Sequence, residues 1–138
     1  MSYLIDTNVI SELRRGKRAD SGVVSWFSDL PDEEVFLSVL TLGEIRRGIE
    51  SIRRRDAVAG KALESWLGRI SDLHRERIIP LDRAIAEEWG RMNLPDPLPV
   101  VDGLLAATAK VTGLTLATRN TADVAQAGVS LFDPFEAP

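Results

Sequence analysis

Ser2-Tyr3-Leu4-Ile5-Asp6-Thr7-Asn8-Val9-Ile10 is a short apolar run of strand character, broken by an acid, a hydroxyl and an amide before apolar residues resume at helical spacing. A carboxylate in that position sits at the carboxyl end of a strand, the edge where open α/β sheets bind ligands. Placing Asp6 between Ile5 and Val9 buries no apolar surface, so it either caps the following helix or does chemistry.

Outward from this stretch, short β-like runs alternate with longer helical ones. A helix is expected from Val9 to Arg15 and another from Asp20 to Leu30, stopped by Pro31, with Val23, Val24, Trp26 and Phe27 as its apolar positions. Val35-Phe36-Leu37 reads as a second strand, after which Ser38 or Thr41 opens a helix carrying Leu42, Ile45 and Ile49. Ala57 to His74 fits the 3.6-residue period through Leu63, Trp66, Leu67, Ile70 and Leu73. Ile78-Ile79-Pro80-Leu81 is strand-like, and Asp82 caps a helix with Ile85, Trp89 and Met92.

Three prolines within residues 94–99 make that segment a loop, and it delivers the chain to Asp102. From Val100 to Thr112 the Ala-rich sequence is a buried helix that Gly113 stops. Leu114-Thr115-Leu116-Ala117 is the next strand, ending in the polar turn from Thr118 to Asp123, and a last strand is expected near Val129-Ser130-Leu131. Alternating strands and helices with few hairpin signals predict an α/β fold, a mostly parallel sheet of four to five strands covered by helices.

The 138 residues are expected to form one domain, 1–138, with a single continuous core. An apolar fraction of 44% and a charged fraction of 28% belong to an ordinary globular protein rather than a disordered or membrane chain. No apolar run is long enough for a membrane span and the start lacks a signal-like pattern, so a cytoplasmic protein is expected. With no cysteine and only His74, thiolate and histidine-rich metal sites are excluded, and any metal is held mainly by oxygen.

The net charge of −4 is unevenly distributed: residues 1–77 hold 13 Lys/Arg against 13 Asp/Glu, and residues 78–138 hold 4 against 8. Basic clusters at Arg14, Arg15, Lys17, Arg18 and at Arg46, Arg47, Arg53, Arg54, Arg55 suit a phosphate backbone or, equally, a solvated helix face interleaved with Glu50 and Asp56.

Asp6 follows the first strand, Glu44 lies one turn into the helix after the second, Asp102 begins a helix and Asp123 lies just past a strand end. In a parallel sheet the strand ends share one edge, so these acids converge although 38, 58 and 21 residues separate them. Carboxylates held close repel, and a divalent cation relieves them. Each also has a capping alternative: Asp6 and Asp102 for their helices, and Thr41-Leu42-Gly43-Glu44 as a capping box. Gly43 and Gly103 beside two of the acids are expected to leave room for a bulky ligand. Asp123 has a surface alternative as well, with Thr118 and Asn120 facing the site instead.

Asp6-Thr7-Asn8-Val9-Ile10-Ser11-Glu12-Leu13, Thr41-Leu42-Gly43-Glu44-Ile45-Arg46-Arg47, Leu98-Pro99-Val100-Val101-Asp102-Gly103-Leu104-Leu105-Ala106-Ala107 and Leu116-Ala117-Thr118-Arg119-Asn120 together resemble the four ordered motifs of PIN-domain ribonucleases. The VapC toxin group with its FitB-like branch is the nearest pattern, and the resemblance covers Ser2 to about Phe135. It implies a three-layer αβα fold and a Mg²⁺- or Mn²⁺-dependent endoribonuclease that uses activated water and no side-chain nucleophile. It also implies metal ligands at Asp6, Asp102 and Glu44, with Asp123 completing the catalytic acids because Asn120 stands where many relatives carry aspartate. Thr7, Asn8, Thr118 and Asn120 would support them, and Arg46 or Arg47 would hold RNA unless paired with Glu50. A VapB-like antitoxin inserting an arginine into the acidic site is implied too, as are a homodimer and a toxin–antitoxin hetero-oligomer. Trp26 and Trp66 belong either to the core or to those interfaces.

Two phosphotransfer classes that also place an aspartate after the first strand fit less well. A haloacid-dehalogenase pattern needs D-x-D, whereas the third residue here is Asn8, and a receiver domain needs a lysine after a late strand, whereas Lys110 lies inside the Ala-rich helix. A non-catalytic PIN-like module that binds RNA or protein is the remaining alternative.

Overall fold

The computed structural model describes residues 1–92 and 94–136, so the last two positions of the expected 1–138 domain lie outside it. Strands β1 (Tyr3–Ile5), β2 (Val35–Ser38), β3 (Ile78–Ile79), β4 (Thr115–Ala117) and β5 (Leu131–Phe132) form one sheet in the order β3-β2-β1-β4-β5. All four pairings are parallel, with Tyr3 beside both Val35 and Thr115 and Ile5 beside Ala117. The chain builds outward from β1 to β3 on one side and then crosses to β4 and β5 on the other. The strand order therefore reverses between β1 and β4, which opens a crevice at their carboxyl ends.

Period-two alternation divides the strand side chains between two helix layers. Ile5, Val35, Leu37 and Ala117 pack with Val9 and Ile10 of α1 (Thr7–Leu13), Val23 of α2 (Ser21–Ser28), Ile45 and Ile49 of α3 (Val39–Arg53) and Leu67 of α4 (Ala57–Leu73). Leu4, Phe36 and Leu116 face the other way, onto Leu105, Ala106 and Ala109 of α6 (Val100–Thr112) and Val124 of α7 (Thr121–Val124). Helix α5 (Arg83–Arg91) packs against α6. The three-layer αβα expectation holds. No helix among the described residues is long and apolar enough to cross a membrane. Trp26 and Trp66 are half-buried and packed against the core, Trp26 meeting Tyr3 edge-on at 5.1 Å.

The differences from expectation have local causes. Helix α1 starts at Thr7 because Asp6 caps it, and it ends at Leu13, short of Arg15. Ser38, not Thr41, opens α3, its hydroxyl accepting from Leu40 N at 3.0 Å. Thr41 lies inside that helix, fully buried, so the capping box is absent. The last strand begins later than Val129, because Gly128 turns with φ +72° and the ladder first closes where Leu116 N donates to Ser130 O. Gly113, also at φ +72°, ends α6 as expected, its left-handed conformation suiting glycine.

Two glycines give opposed predictions. A Cβ on Gly60 of α4 would stand 2.8 Å from Arg53 Cβ and 3.0 Å from Arg53 Cα, so the glycine lets α3 and α4 approach. Gly60→Ala is expected to cost about 1–2 kcal/mol, the overpacking penalty exceeding the gain in helix propensity. Gly48 in α3 has nothing within 4 Å of that position, and Gly48→Ala is expected to stabilise by about 0.5–1 kcal/mol. Urea unfolding midpoints of the two variants should move in opposite directions.

Candidate active site

Asp6 leaves the end of β1 and Thr118 the end of β4, so both stand at the reversal of strand order. Asp6 is 7% exposed, and each of its carboxylate oxygens is engaged. Oδ1 accepts from Thr7 N at 2.6 Å, and Oδ2 accepts from the Thr118 hydroxyl at 2.8 Å. Capping and site architecture are thus two functions of one carboxylate. Asn8 ties the two strand ends together: its Nδ2 donates to Thr118 Oγ1 at 3.3 Å and its Oδ1 accepts from Arg119 N at 3.2 Å. Asn120 enters through its backbone, N donating to Thr118 Oγ1 at 3.1 Å.

Glu44 is exposed on the first half of α3 and accepts from the Thr7 hydroxyl at 2.6 Å, which fastens it to the residue after Asp6. Asp102 lies in the first turn of α6, where no side chain caps the helix, so its capping alternative is not realised. Asp123 lies exposed in α7, the helix that follows β4.

These carboxylates sense one another. Burial pushes the Asp6 carboxyl from its ordinary 3.8 up to about 6, against the pull of the Thr118 and Thr7 hydrogen bonds, and the charges of Asp102 and Glu44 push it further. Asp102 is also raised, by burial first and then by Glu44 and Asp123. A buried acid among other acids favours a proton or a cation beside it. The donors are all oxygen, from four carboxylates, two hydroxyls and an amide, the set a hard divalent cation prefers. Among the described residues no three acidic or histidine side chains are gathered tightly enough to enclose an ion.

The site is open. Two clefts flank the loop at 94–99, one of about 280 Å³ bordered by Trp89, Leu98 and Gly103, the other of about 470 Å³ bordered by Pro99, Asp123 and Gln126. Asp6, Glu44 and Asp102 border neither.

Other expected residues fall differently. Arg46 donates to Glu64 at 2.7 Å and lies 3.5 Å from Glu50, so it is held in a surface ion-pair network rather than offered to a ligand. Arg47 is exposed one turn beyond Glu44, on the same face of α3, and is the better placed of the two. Gly43 opens onto free space, but Gly103 does not: a Cβ there would lie 3.0 Å from Trp89 Cδ1 and Nε1, so this glycine seats an indole ring instead of leaving room for a ligand. Arg119 had no role assigned from the sequence, yet its amide is part of the strand-end network and its guanidinium lies 4.1 Å over the Phe135 ring. Its position between Thr118 and Asn120, in a strand-end turn, was the available signal.

Thr118→Val preserves shape and removes the hydroxyl that Asp6, Asn8 and Asn120 share. Destabilisation of about 1–3 kcal/mol is expected from the unpaired buried groups, read as a fall in the urea midpoint.

A parallel αβα sheet with a reversal of strand order, and with acids on the elements that follow β1, β2 and β4, defines an open α/β protein of the class that binds ligands at the carboxyl edge of its sheet. Comparison with known proteins identifies which kind: the model of the PIN domain matches residues 3–128, and the chain belongs to that family. It is 34% identical to Toxin FitB of Neisseria gonorrhoeae over 96% of this chain and 97% of that protein. It is 32% identical to VapC ribonuclease Y4jK of Sinorhizobium fredii over the same shares. The crystal structure of FitAcB from Neisseria gonorrhoeae superposes with a TM-score of 0.89 at 34% identity, covering 97% of this chain and 99% of that one. FitAB bound to a DNA fragment gives a TM-score of 0.85 at 32% identity over 99% and 97%.

Proposed function

We propose that this protein is an endoribonuclease dependent on Mg²⁺ or Mn²⁺, acting as a single-domain toxin that a cognate antitoxin restrains. The observation that carries this is the set of acids at the β1–β4 reversal, in which Asp102 and Glu44 both raise Asp6 and Asp123 raises Asp102. The names of the relatives, a toxin and a ribonuclease, agree with it.

In this mechanism Asp6 and Asp102 would hold the cation, and Glu44 and Asp123 would supply further negative oxygen. A divalent cation bound there lowers the pKa of water and offsets charge that develops on the phosphate. Thr118 and Thr7 N fix the Asp6 carboxylate from both sides, so that orienting it costs little at the moment of reaction. Thr7 does the same for Glu44. Asp123, whose charge reaches Asp102, suits the fourth acidic position better than Asn120, which enters the network by its backbone. Arg47 is the candidate on α3 for a phosphate contact. An antitoxin would inhibit by placing a cationic side chain on these acids, excluding metal and RNA together. A homodimer remains part of the proposal.

The test uses purified protein free of antitoxin and a synthetic RNA. Cleavage with Mg²⁺ and its loss with EDTA are expected; cleavage indifferent to EDTA, or RNA bound but never cut, would overturn the proposal.

A further inference from the structure

We propose that Arg119, stacked on Phe135 beside the end of β4, binds a backbone phosphate of the RNA strand being cut. This rests on the ribonuclease reading above and adds the group that holds the substrate.

The need arises from the site itself. Converging carboxylates repel a polyanion, and a cation neutralises only the phosphate it touches, so a neighbouring positive group must hold the adjoining strand. The acidic second part of the chain offers four candidates, Arg83, Arg91, Lys110 and Arg119. Arg83 and Arg91 lie 2.8 and 4.0 Å from Glu87, and Lys110 lies 3.6 Å from Glu88. Arg119 alone of the four has no carboxylate partner among the described residues.

Its placement is built. The Arg119 amide donates to Asn8 Oδ1, and the preceding residue, Thr118, donates its hydroxyl to Asp6. The main chain of Arg119 is thereby tied to the carboxylate site through its own amide and through the residue before it. The guanidinium is exposed and lies on the Phe135 ring, whose own amide donates to Asp133 Oδ1 at 2.9 Å. The ring covers one side of the exposed guanidinium, and a guanidinium presents paired N–H donors that match the two oxygens of a phosphate.

The test measures kcat and KM for a synthetic single-stranded RNA with Mg²⁺ at several salt concentrations, for wild type, R119A, R119K and F135L. For R119A we expect KM to rise about tenfold with kcat within twofold, and the slope of log(1/KM) against log[salt] to shrink by about 0.7, the signature of one lost phosphate contact on a single strand. R119K should keep most of the salt slope, and F135L should raise KM by a smaller factor. Unchanged KM and slope in R119A, or a loss confined to kcat, overturns the inference while leaving the ribonuclease reading intact. So does an R119A that binds antitoxin less tightly and RNA as before. A wild type that does not cleave RNA overturns both. If R119A fails to fold, R119Q and F135L give the same readouts.

Discussion

Asp102→Asn is expected to lower RNA cleavage by at least about 100-fold, the loss typical when a preorganised charge in an active site is removed. It is the cleanest of the site substitutions. Asp6 carries two structural hydrogen bonds, so Asp6→Asn combines lost chemistry with a disturbed strand end. An asparagine at 6 would also bring an amide to Thr118 Oγ1, which already accepts from Asn8 and Asn120. Asp102 caps nothing, and its carboxyl is raised by burial and by Glu44 and Asp123 without a hydrogen bond to offset them. Removing its charge relieves that repulsion and part of the repulsion on Asp6. Metal-free Asp102→Asn should therefore unfold at or above the wild-type temperature while its activity falls. A variant that is inactive only because it is unfolded would show a lowered midpoint, and a folded, fully active variant would remove Asp102 from the mechanism.

The second large effect is a stability of the metal-free protein that declines toward neutral pH and recovers with a divalent cation. The folded Asp6 carboxyl titrates at about 6 against 3.8 ordinarily, so the folded state binds the proton more tightly than the unfolded chain. The stabilising contribution is complete below pH 3.8 and is lost as pH rises through 6. Between about pH 5 and pH 7.5 Asp6 alone should remove about 1 kcal/mol, or a few degrees in melting temperature for a chain of this size. Asp102 acts with the same sign. Glu64 is lowered by Arg46 and Arg53, but it is exposed and its opposite effect falls below pH 4.5, outside that window. Mg²⁺ bound to the ionised acids should raise the melting temperature at pH 7.5, increasingly with concentration, and much less at pH 5. Thermal melts in EDTA and in Mg²⁺ at both pH values check this; a metal-free protein more stable at pH 7.5 than at pH 5 would contradict it.

The legible parts of the fold were those carried by local pattern. The short apolar runs Tyr3-Leu4-Ile5 and Val35-Phe36-Leu37 and the helical spacing of Leu63, Leu67 and Ile70 are each contained within a few residues of the chain. Element boundaries were less accurate, since caps compete. Thr41 has the capping-box pattern, yet Ser38 lies at the end of β2 and takes the cap, leaving Thr41 to be buried. Asp6, Glu44, Asp102 and Asp123 were singled out because parallel strands bring their carboxyl ends to one edge, a consequence of topology that the strand–helix alternation already implies.

What that alternation could not contain was the identity of partners across the chain. Arg46 was read beside Glu50, its neighbour on one helix, but its shorter contact is Glu64, reached only because α3 packs on α4. Gly103 looked like space for a ligand until α5 placed Trp89 against it. The sequence by itself determined the αβα class and the absence of thiolate and histidine-rich ligands, because periodicity and residue type act locally. Only the tertiary structure decided that Thr118, 112 residues from Asp6, holds its carboxylate, and that Arg119 rests on Phe135 beside it. Those contacts depend on β4 pairing with β1 and β5, and a side chain's partner is set by which strands meet in space rather than by its spacing along the chain.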